Sequence, residues 1–310
     1  RLVGSEMCIR DRYRPADCSA VSFSSSGDEL LCPVPIYLFP LVNGFVGGDL
    51  VAFLHGQEAP STVTLYIDIG TNGEIALFAD DQWWVTSVAA GPAFEGGGIE
   101  SGMNYGPGAI ERCRVEGDRL LFDVVPGLPP RGICGSGLVE TIGAALAAGL
   151  IDQHGSLRAP EDVASNLSRY LDRSADGLSL QLYRDAETRI RLQQNDIRNF
   201  QLAKAAVRAG VDCLLRKAGV GVAEIDALVM TGAFGFSLSE KALKRVALLP
   251  ENMVDKVRFE PGGVLAGVGS MLMSADGPEQ VEKLAAVLKP FPLSGTPLFE
   301  KAFIQAIDFN

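Results

Sequence analysis

Residues 66–78 read YIDIGTNGEIALF, two strand-like apolar runs on either side of a turn. Leu65, Ile67 and Ile69 alternate along the first run, and this period of two predicts a strand with one apolar face. Asp68 interrupts the run and points to the opposite face. Because burying an unpaired carboxylate costs free energy, Asp68 requires a partner: backbone N–H groups, a cation, or water beside a metal.

The turn after Asp68 consists of small residues. Asn72-Gly73 predicts a type I′ hairpin turn, in which both central residues have positive φ. Gly70, Thr71, Asn72 and Gly73 would let backbone N–H groups approach an anion, and Mg²⁺ is commonly held by a carboxylate next to bound phosphate. The stretch therefore nominates Asp68 as a catalytic residue and metal ligand. The alternative is an ordinary hairpin whose aspartate hydrogen-bonds its own turn.

The surrounding pattern predicts an α/β fold. Three consecutive strands favour an antiparallel meander, and later strands separated by helices favour parallel neighbours. The predicted strands are 63–69, 74–79, 83–88, 225–232 and 256–259. The predicted helices are 194–219, 238–248 and 262–273, with a Gly-rich turn entering a helix within 131–150 and a short helix inside 41–56. The expected architecture is a mixed sheet flanked by helices.

The helix predicted over 194–219 has the clearest periodicity. Its apolar residues recur at three- and four-residue steps: Ile197, Phe200, Val207, Val211 and Leu214. Asn195 or Asp196 can cap its start and Gly219 its end, so Asp196 is interpreted as a cap rather than a catalyst. Lys204 and Arg208 are expected on a solvated face.

A Gly-rich loop, residues 89–103 (AAGPAFEGGGIESGM), is a second candidate ligand site. Its glycines, Gly96 and Gly97 among them, give access to the backbone. Glu95 and Glu100 could bind a metal or activate water, which makes Glu95 a candidate catalytic residue. A flexible loop with solvated acids explains the same pattern.

Two further turns lead into helices. In GICGSG (132–137), Gly135 and Ser136 open a helix whose N-terminus favours anions; close packing of the helix on the sheet is the alternative. Cys134 is interpreted as a buried structural thiol, because neither histidine is near it in sequence.

TGAFG (231–235) places Gly232, Ala233, Phe234 and Gly235 where a strand meets a helix. Open α/β sheets bind ligands at this edge, so these residues are candidates for cofactor binding. A tight strand-to-helix turn without a ligand is the alternative.

Composition excludes several classes of function. The 310 residues carry a net charge of -11, which argues against nucleic acid as a partner. No apolar run approaches the roughly 20 residues of a membrane helix. The six cysteines contain no C-x-x-C pair and there are two histidines, so zinc or an iron–sulfur cluster is not expected in this chain. Scattered cysteines fit the reducing cytoplasm.

The chain is not uniform along its length. Residues 1–12, RLVGSEMCIRDR, resemble a translated sequencing-adapter fragment and are set aside. Residues 13–34 are Ser-rich and irregular, and residues 151–193 resemble an insertion, with strands expected at 178–183 and 188–192.

The order of these motifs resembles the second half of the actin-like (ASKHA) ATPase superfamily. More narrowly, it is similar to the C-terminal ATPase domain of reductive activators of corrinoid proteins, the RACo family. The resemblance spans residues 35–275, which leaves 276–310 as a C-terminal tail. It rests on YIDIGTNGEIAL, AAGPAFEGGGIESGM, PGAIE, GICGSGLVE, QNDIRNFQLAKAAVRAG and GAFG.

The resemblance implies a ribonuclease-H-like fold that binds ATP and Mg²⁺. Asp68 with Gly70–Gly73 would be the second phosphate-binding hairpin, and Gly232, Ala233 and Gly235 would lie beside the adenosine. The family helps return a corrinoid partner protein from cobalt(II) to cobalt(I), with electrons from an N-terminal [2Fe–2S] domain. The cysteines of that domain and the first phosphate hairpin are not found in this chain, and we expect them upstream.

The function expected is the ATPase portion of an ATP-dependent reductive activator of corrinoid methyltransferase proteins. The alternatives are a small-molecule kinase of the same superfamily and a nucleotide-binding scaffold without hydrolysis. No nucleic acid or membrane partner is expected. A homodimer, the identity of the corrinoid protein and its methyl donor are left open by the sequence.

Overall fold

The computed structural model describes residues 22–23, 36–174, 177–232 and 238–310. Two short strands, β1 (Ser22–Phe23) and β2 (Ile36–Tyr37), pair antiparallel ahead of the main body. A central sheet of six strands follows. Its strands are β3 (Thr64–Ile69), β4 (Gly73–Ala79), β5 (Gln82–Val88), β12 (Ala227–Gly232), β13 (Val257–Phe259) and β14 (Leu288–Pro290).

The strand order of this sheet is β13-β12-β3-β4-β5-β14. β3, β4 and β5 form the predicted antiparallel meander. β12 lies parallel to β3, and β13 lies parallel to β12. The mixed α/β sheet expected from the sequence is therefore confirmed. β14, which pairs parallel with β5 at the other edge, is not predicted by the sequence.

Helices cover both faces of the sheet. In the described part of the chain they are α1 (Gly48–His55), α2 (Gly135–Ala147), α3 (Gln194–Ala218), α4 (Glu240–Arg245), α5 (Gly263–Met273), α6 (Gly277–Val287) and α7 (Pro297–Gln305). The four longer helical predictions are confirmed as α2, α3, α4 and α5, although α4 covers only six residues of the expected 238–248. Within the described ranges, no helix combines the length and apolar character needed to cross a membrane.

Each face of the sheet has its own apolar core. The alternating isoleucines and leucine of β3 pack in the larger core, which contains Phe200 of α3. Tyr66 points to the opposite face and packs with Phe53 of α1 and Met271 of α5. Both faces are thus covered, and the alternation of β3 places Asp68 on the side of α1 and α5.

The residues between β5 and α3 in the sequence form two smaller sheets. The first contains β6 (Ala109–Glu116), β7 (Arg119–Val124) and β8 (Gly132–Ile133), in the order β7-β6-β8. The second lies within residues 151–193 and contains β9 (Leu171–Ser174), β10 (Gly177–Arg184) and β11 (Arg189–Gln193). β10 and β11 confirm the two strands predicted there, and β11 runs directly into α3.

The hairpin between β3 and β4 is present, but the predicted type I′ turn at Asn72-Gly73 is wrong. Neither residue has a positive φ. The Gly70 N–H instead donates to the Asn72 carbonyl over 2.9 Å, and Gly73 is already the first residue of β4. A Cβ on Gly73 would lie 3.1 Å from Val88 Cγ2, so this glycine allows close packing rather than a turn.

The next hairpin contains the type I′ geometry. Asp80 and Asp81 connect β4 to β5 with φ of 50° and 56°. Both aspartates are therefore in the left-handed region that the first turn does not use.

The expectation that Lys204 faces solvent is wrong. Its side chain is buried, its Nζ donates to the Asp308 carbonyl, and the Phe309 ring lies 5.0 Å from Nζ. Residues that follow α7 at the end of the chain therefore cover this side of α3. Arg208 is partly exposed and its Nε bonds the Asp212 carboxylate at 3.2 Å.

Candidate functional site

The candidate site lies where β3 and β12 end. The two strands are parallel, with Asp68 paired to Thr231 and Ile69 to Gly232, so their carboxyl ends meet at one edge of the sheet. Gly232 has a φ of 102°, and a Cβ there would lie 2.7 Å from Asp68 Oδ1 and 2.2 Å from the Ile69 carbonyl oxygen. Only glycine fits at this position, directly against Asp68.

Asp68 occupies an environment that disfavours its charge. Burial is the main cause that raises its pKa to about 6, and the neighbouring charges of Asp49 and Glu95 add to the effect. A group with this pKa can change its ionisation near neutral pH and would gain from a nearby cation.

Glu74 is the cross-strand partner of Asp68 and lies on the same face. It is buried, and its Oε1 accepts a hydrogen bond from Ser87 Oγ at 3.1 Å. Burial first, and Asp49 second, raise the pKa of Glu74 to about 8. In the described residues, no group of three or more His, Cys, Asp or Glu side chains is arranged to hold a metal ion.

Thr71 joins the first hairpin to the Gly-rich loop. Its Oγ1 donates to Glu95 Oε2 at 2.5 Å, and its carbonyl accepts from the Gly91 N–H at 2.8 Å. Glu95 ends a 3₁₀ turn (Pro92–Glu95) and is exposed. The structure thus brings Asp68, Thr71 and Glu95 together at the edge of the sheet where β3 ends.

The N–H groups of several predicted binding residues already donate hydrogen bonds within the protein. Gly70 donates to Asn72, Gly96 donates to Ala93, and Gly97 donates to Pro92. We therefore expect these three glycines to provide shape rather than hydrogen-bond donors. Gly73 faces the packing between helix and sheet, away from the hairpin loop.

The remaining nominated residues lie on two other elements. Gly135 and Ser136 begin α2, and Gly135 lines a small cavity of about 190 Å³ together with Glu95 and Tyr105. Cys134 and Ser136 are buried, with Sγ and Oγ 3.2 Å apart, as expected for a structural thiol. Ala233, Phe234 and Gly235 lie outside the described residues.

Residues that follow Gly235 along the chain line a larger cavity of about 540 Å³, which lies between α2 and α4. Ser239 caps α4, and both its N–H and its Oγ donate to the carboxylate of Glu140, at 2.6 and 2.9 Å. Arg112 and Arg245 also line the cavity, together with Asp123, so its wall carries charges of both signs.

Two residues of the site, Asp49 and Glu74, are not indicated by the sequence patterns, whereas Thr231 begins the TGAFG motif. Asp49 is in the first turn of α1, and no pattern indicates that it would face Asp68. Glu74 lies inside the quoted stretch and becomes a neighbour of Asp68 once the true turn is known. Thr231 donates to the Glu260 carbonyl at 2.7 Å and accepts from the Gly263 N–H at 3.1 Å, which ties the end of β12 to the start of α5.

Comparison with known proteins gives named relatives. Corrinoid activation enzyme RamQ of Eubacterium limosum is 31% identical over 287 residues, which cover 89% of this chain and 47% of RamQ. The [Co(II) methylated amine-specific corrinoid protein] reductase of Methanosarcina barkeri is 27% identical over 260 residues, covering 75% of this chain and 44% of the reductase. The chain thus spans about half the length of these relatives.

Structure comparison gives the same picture. A solved reductive activator for corrinoid, iron-sulfur protein superposes with a TM-score of 0.88 at 31% identity, covering 96% of this chain and 48% of that one. A family model described as the C-terminal domain of RACo, the ASKHA domain, matches residues 62–310. The chain therefore belongs to the family of RACo C-terminal domains and has the actin-like ASKHA fold.

Proposed function

We propose that this chain is the nucleotide-binding portion of an ATP-dependent reductive activator of corrinoid proteins. The observation that carries the proposal is the meeting of Asp68, Thr71 and Glu95 with Gly232 at one sheet edge. The named relatives, which act on corrinoid systems, support the choice of partner. A corrinoid protein as partner, a homodimer and a cytoplasmic location belong to this proposal.

The residues at this edge fit Mg²⁺ bound together with a polyphosphate. Mg²⁺ is usually held by one or two carboxylates, several waters and phosphate oxygens, rather than by a full set of protein ligands. Asp68 would supply the carboxylate, and the neighbouring charges that raise its pKa, those of Asp49 and Glu95, are negative, so a bound cation would favour its ionised form. When bound, the ion would neutralise the charge of the phosphates.

Glu95 would orient or deprotonate a water molecule. Thr71 Oγ1 holds its Oε2, so the side chain is fixed while it remains exposed to solvent. A carboxylate that is oriented in this way is a suitable general base. Asp68 and Glu95 therefore have separate roles, one toward the ion and one toward water.

The nucleoside would extend from Gly232 toward the cavity between α2 and α4. Leu238 and Ser239 line this cavity, and they follow the expected adenosine segment 232–235. A volume of about 540 Å³ is within the range of small-ligand pockets. Arg245 could stack on or pair with the bound group.

The second wall of the cleft would come from another part of the full-length protein. α5 exposes three large apolar side chains, Leu265, Leu272 and Met273. An exposed apolar face of this kind usually marks an interface. In proteins as long as the relatives, we propose that the other ATPase half packs there, and that a further domain holds the [2Fe–2S] cluster.

The proposal is tested by titrating this chain with a fluorescent ATP analogue, with Mg²⁺ and with EDTA. Asp68→Asn removes the carboxylate charge at constant volume, so we expect the affinity to fall about tenfold in Mg²⁺. In EDTA the variant should bind at least as tightly as the wild type, because the substitution removes a negative charge beside the phosphates. Asp255→Asn, an exposed aspartate elsewhere, serves as the matched control.

Two outcomes would contradict the proposal. One is a wild-type chain that binds no nucleotide at millimolar concentration. The other is an Asp68→Asn variant with unchanged Mg²⁺-dependent affinity. Binding of ATP without phosphate release by the full-length protein would instead favour the non-hydrolytic scaffold, and phosphate transfer to a metabolite would favour the kinase.

A further inference from the structure

Asp196 uses its two carboxylate oxygens for different purposes. Oδ2 accepts the Gln193 N–H at 2.8 Å, as the third residue of a helix does in a capping box. Oδ1 accepts the Glu100 N–H at 2.9 Å, a contact to a residue far away in sequence. One oxygen therefore caps α3, and the other holds the end of the Gly-rich loop.

Capping alone does not account for this residue. Asp196 is buried, and burial is the main cause that raises its pKa. A buried carboxylate is a costly way to cap a helix, because exposed polar side chains satisfy the same N–H groups. The bond to Glu100 is what this carboxylate adds beyond the cap.

Other contacts from the same part of the protein hold the loop. Asn199 Nδ2 donates to the Gly98 carbonyl at 2.7 Å, and the Phe200 ring packs edge-on against Phe94 with centroids 5.7 Å apart. The guanidinium of Arg191, on β11, bonds Glu100 Oε1 at 2.9 Å. The start of α3 and the end of β11 thus hold the loop in place by contacts on the C-terminal side of Glu95.

The other end of the loop is attached to the first hairpin. Gly91 donates to the Thr71 carbonyl, and Thr71 donates to Glu95. Gly96 and Gly97 close the 3₁₀ turn that carries Glu95. Glu95 therefore sits on a short span fixed on both sides, by Thr71 and by the Asp196 region.

We propose that Asp196 is a positioning residue for Glu95: its bond to the Glu100 N–H fixes the end of the Gly-rich loop and so holds Glu95 against Thr71. The inference rests on the proposed role of Glu95 beside the nucleotide. Because β11 enters α3 without a linker, the inserted sheet of residues 171–193 is mechanically connected to the same residue.

The first test compares Asp196→Asn with Gln193→Ala by hydrogen exchange on this chain. An asparagine has one acceptor oxygen and cannot serve both N–H groups. Gln193→Ala removes the other half of the capping box and leaves the Glu100 bond in place. We expect the Gly96 and Gly97 amides to exchange about tenfold faster in Asp196→Asn only.

The second test asks whether Asp196 acts through Glu95. The rate of phosphate release from Mg²⁺-ATP by the full-length protein is measured for Asp196→Asn, Glu95→Gln and the double variant. We expect Asp196→Asn to slow phosphate release severalfold in the wild-type background and to have no further effect once Glu95 is replaced. A residue that only stabilises α3 would give additive losses.

Each outcome decides between the two roles. Equal exchange rates of the loop amides in Asp196→Asn and Gln193→Ala, or additive losses in the rate of phosphate release, would overturn the inference and leave Asp196 as a helix cap. If the wild-type chain binds no nucleotide, the proposed function fails, while the exchange measurement still shows whether Asp196 holds the turn that carries Glu95.

Discussion

Asp68 and Glu74 face each other across β3 and β4. Burial raises the pKa of Asp68 to about 6 and that of Glu74 to about 8, and Asp49 adds negative charge beside both. At neutral pH, Glu74 therefore keeps its proton while Asp68 is largely ionised, and the two carboxyl groups can coexist without a cation. The pair presents one charge, on Asp68, toward the end of β12.

Glu74→Gln tests this arrangement through stability. Both folded pKa values lie above those of the unfolded chain, so the folded state binds more protons and stability falls as pH rises from about 4 to 8. Glutamine still accepts from Ser87 and cannot ionise. Between pH 6 and 8, we expect the free energy of unfolding to fall by about 1–2 kcal/mol less in the variant than in the wild type.

Urea unfolding at the two pH values measures the difference. Glu58→Gln, at an exposed position, is the control and should keep the wild-type pH dependence. A Glu74→Gln variant whose stability changes with pH as the wild type does would show that Glu74 is ionised in the folded state.

The neighbourhood of Asp68 could be predicted only in part. Its face follows directly from the alternation of Leu65, Ile67 and Ile69. Glu74 was missed because a two-residue turn at Asn72-Gly73 would pair Asp68 with Leu77 and turn Glu74 to the other face. The three-residue loop shifts the partner of Asp68 by three residues, from Leu77 to Glu74, and this odd shift brings Glu74 onto the face of Asp68.

At the scale of elements, the hairpin between β4 and β5 carries avoidable strain. Asp80 and Asp81 both have positive φ, which costs more for aspartate than for asparagine or glycine. Their like charges are also adjacent. Replacing the pair with Asn-Gly matches the residues that this turn type prefers, and we expect a gain of about 0.5–1 kcal/mol in the free energy of unfolding.

Denaturant unfolding of the Asp80→Asn, Asp81→Gly double variant measures this gain. Asn72→Gly is the matched control in the other hairpin, where φ is not positive and the extra freedom of the unfolded chain should give no stabilisation. Equal effects in both hairpins would contradict the assignment of type I′ geometry to the second.

Elements with strong periodicity were predictable, and polar elements were not. α3 and the meander strands bury one regular face, so their spacing indicates them directly. β6 was missed because four of its eight residues are charged, which hides the alternation of a strand at the surface. β14 is three residues long and contains proline, so no local pattern indicates it.

For the whole molecule, the order of motifs was enough to predict the fold, because each Gly-rich turn follows a strand or opens a helix. The packing of the residues at the C-terminal end could not be predicted from the sequence. The sequence of α3 shows one apolar face, and the residues beyond α7 cover a further side of that helix. Coverage by a segment that is distant in sequence leaves no periodic signal in the helix it covers.

Lys204 allows a test of that coverage. Burial is the main cause that lowers its pKa to about 7, and the nearby charge of Arg208 adds to the effect, while Asp308 opposes it. His154 Nδ1 lies 2.8 Å from the Asp308 carboxylate, so this carboxylate interacts with His154 as well as with Lys204. The unfolded chain binds a proton at Lys204 up to about pH 10, whereas the folded chain releases it above about pH 7.

Stability should therefore rise with pH through this window, and Lys204→Met should remove that component. Methionine has a similar volume and can pack against Phe309 without ionising. Between pH 8 and 10 we expect the wild type to gain roughly 1–2 kcal/mol relative to the variant. Lys301→Met, on the exposed side of α7, should behave as the wild type does. Parallel stability curves for the wild type and Lys204→Met would mean that water reaches the amine, and that the residues after α7 do not close over α3.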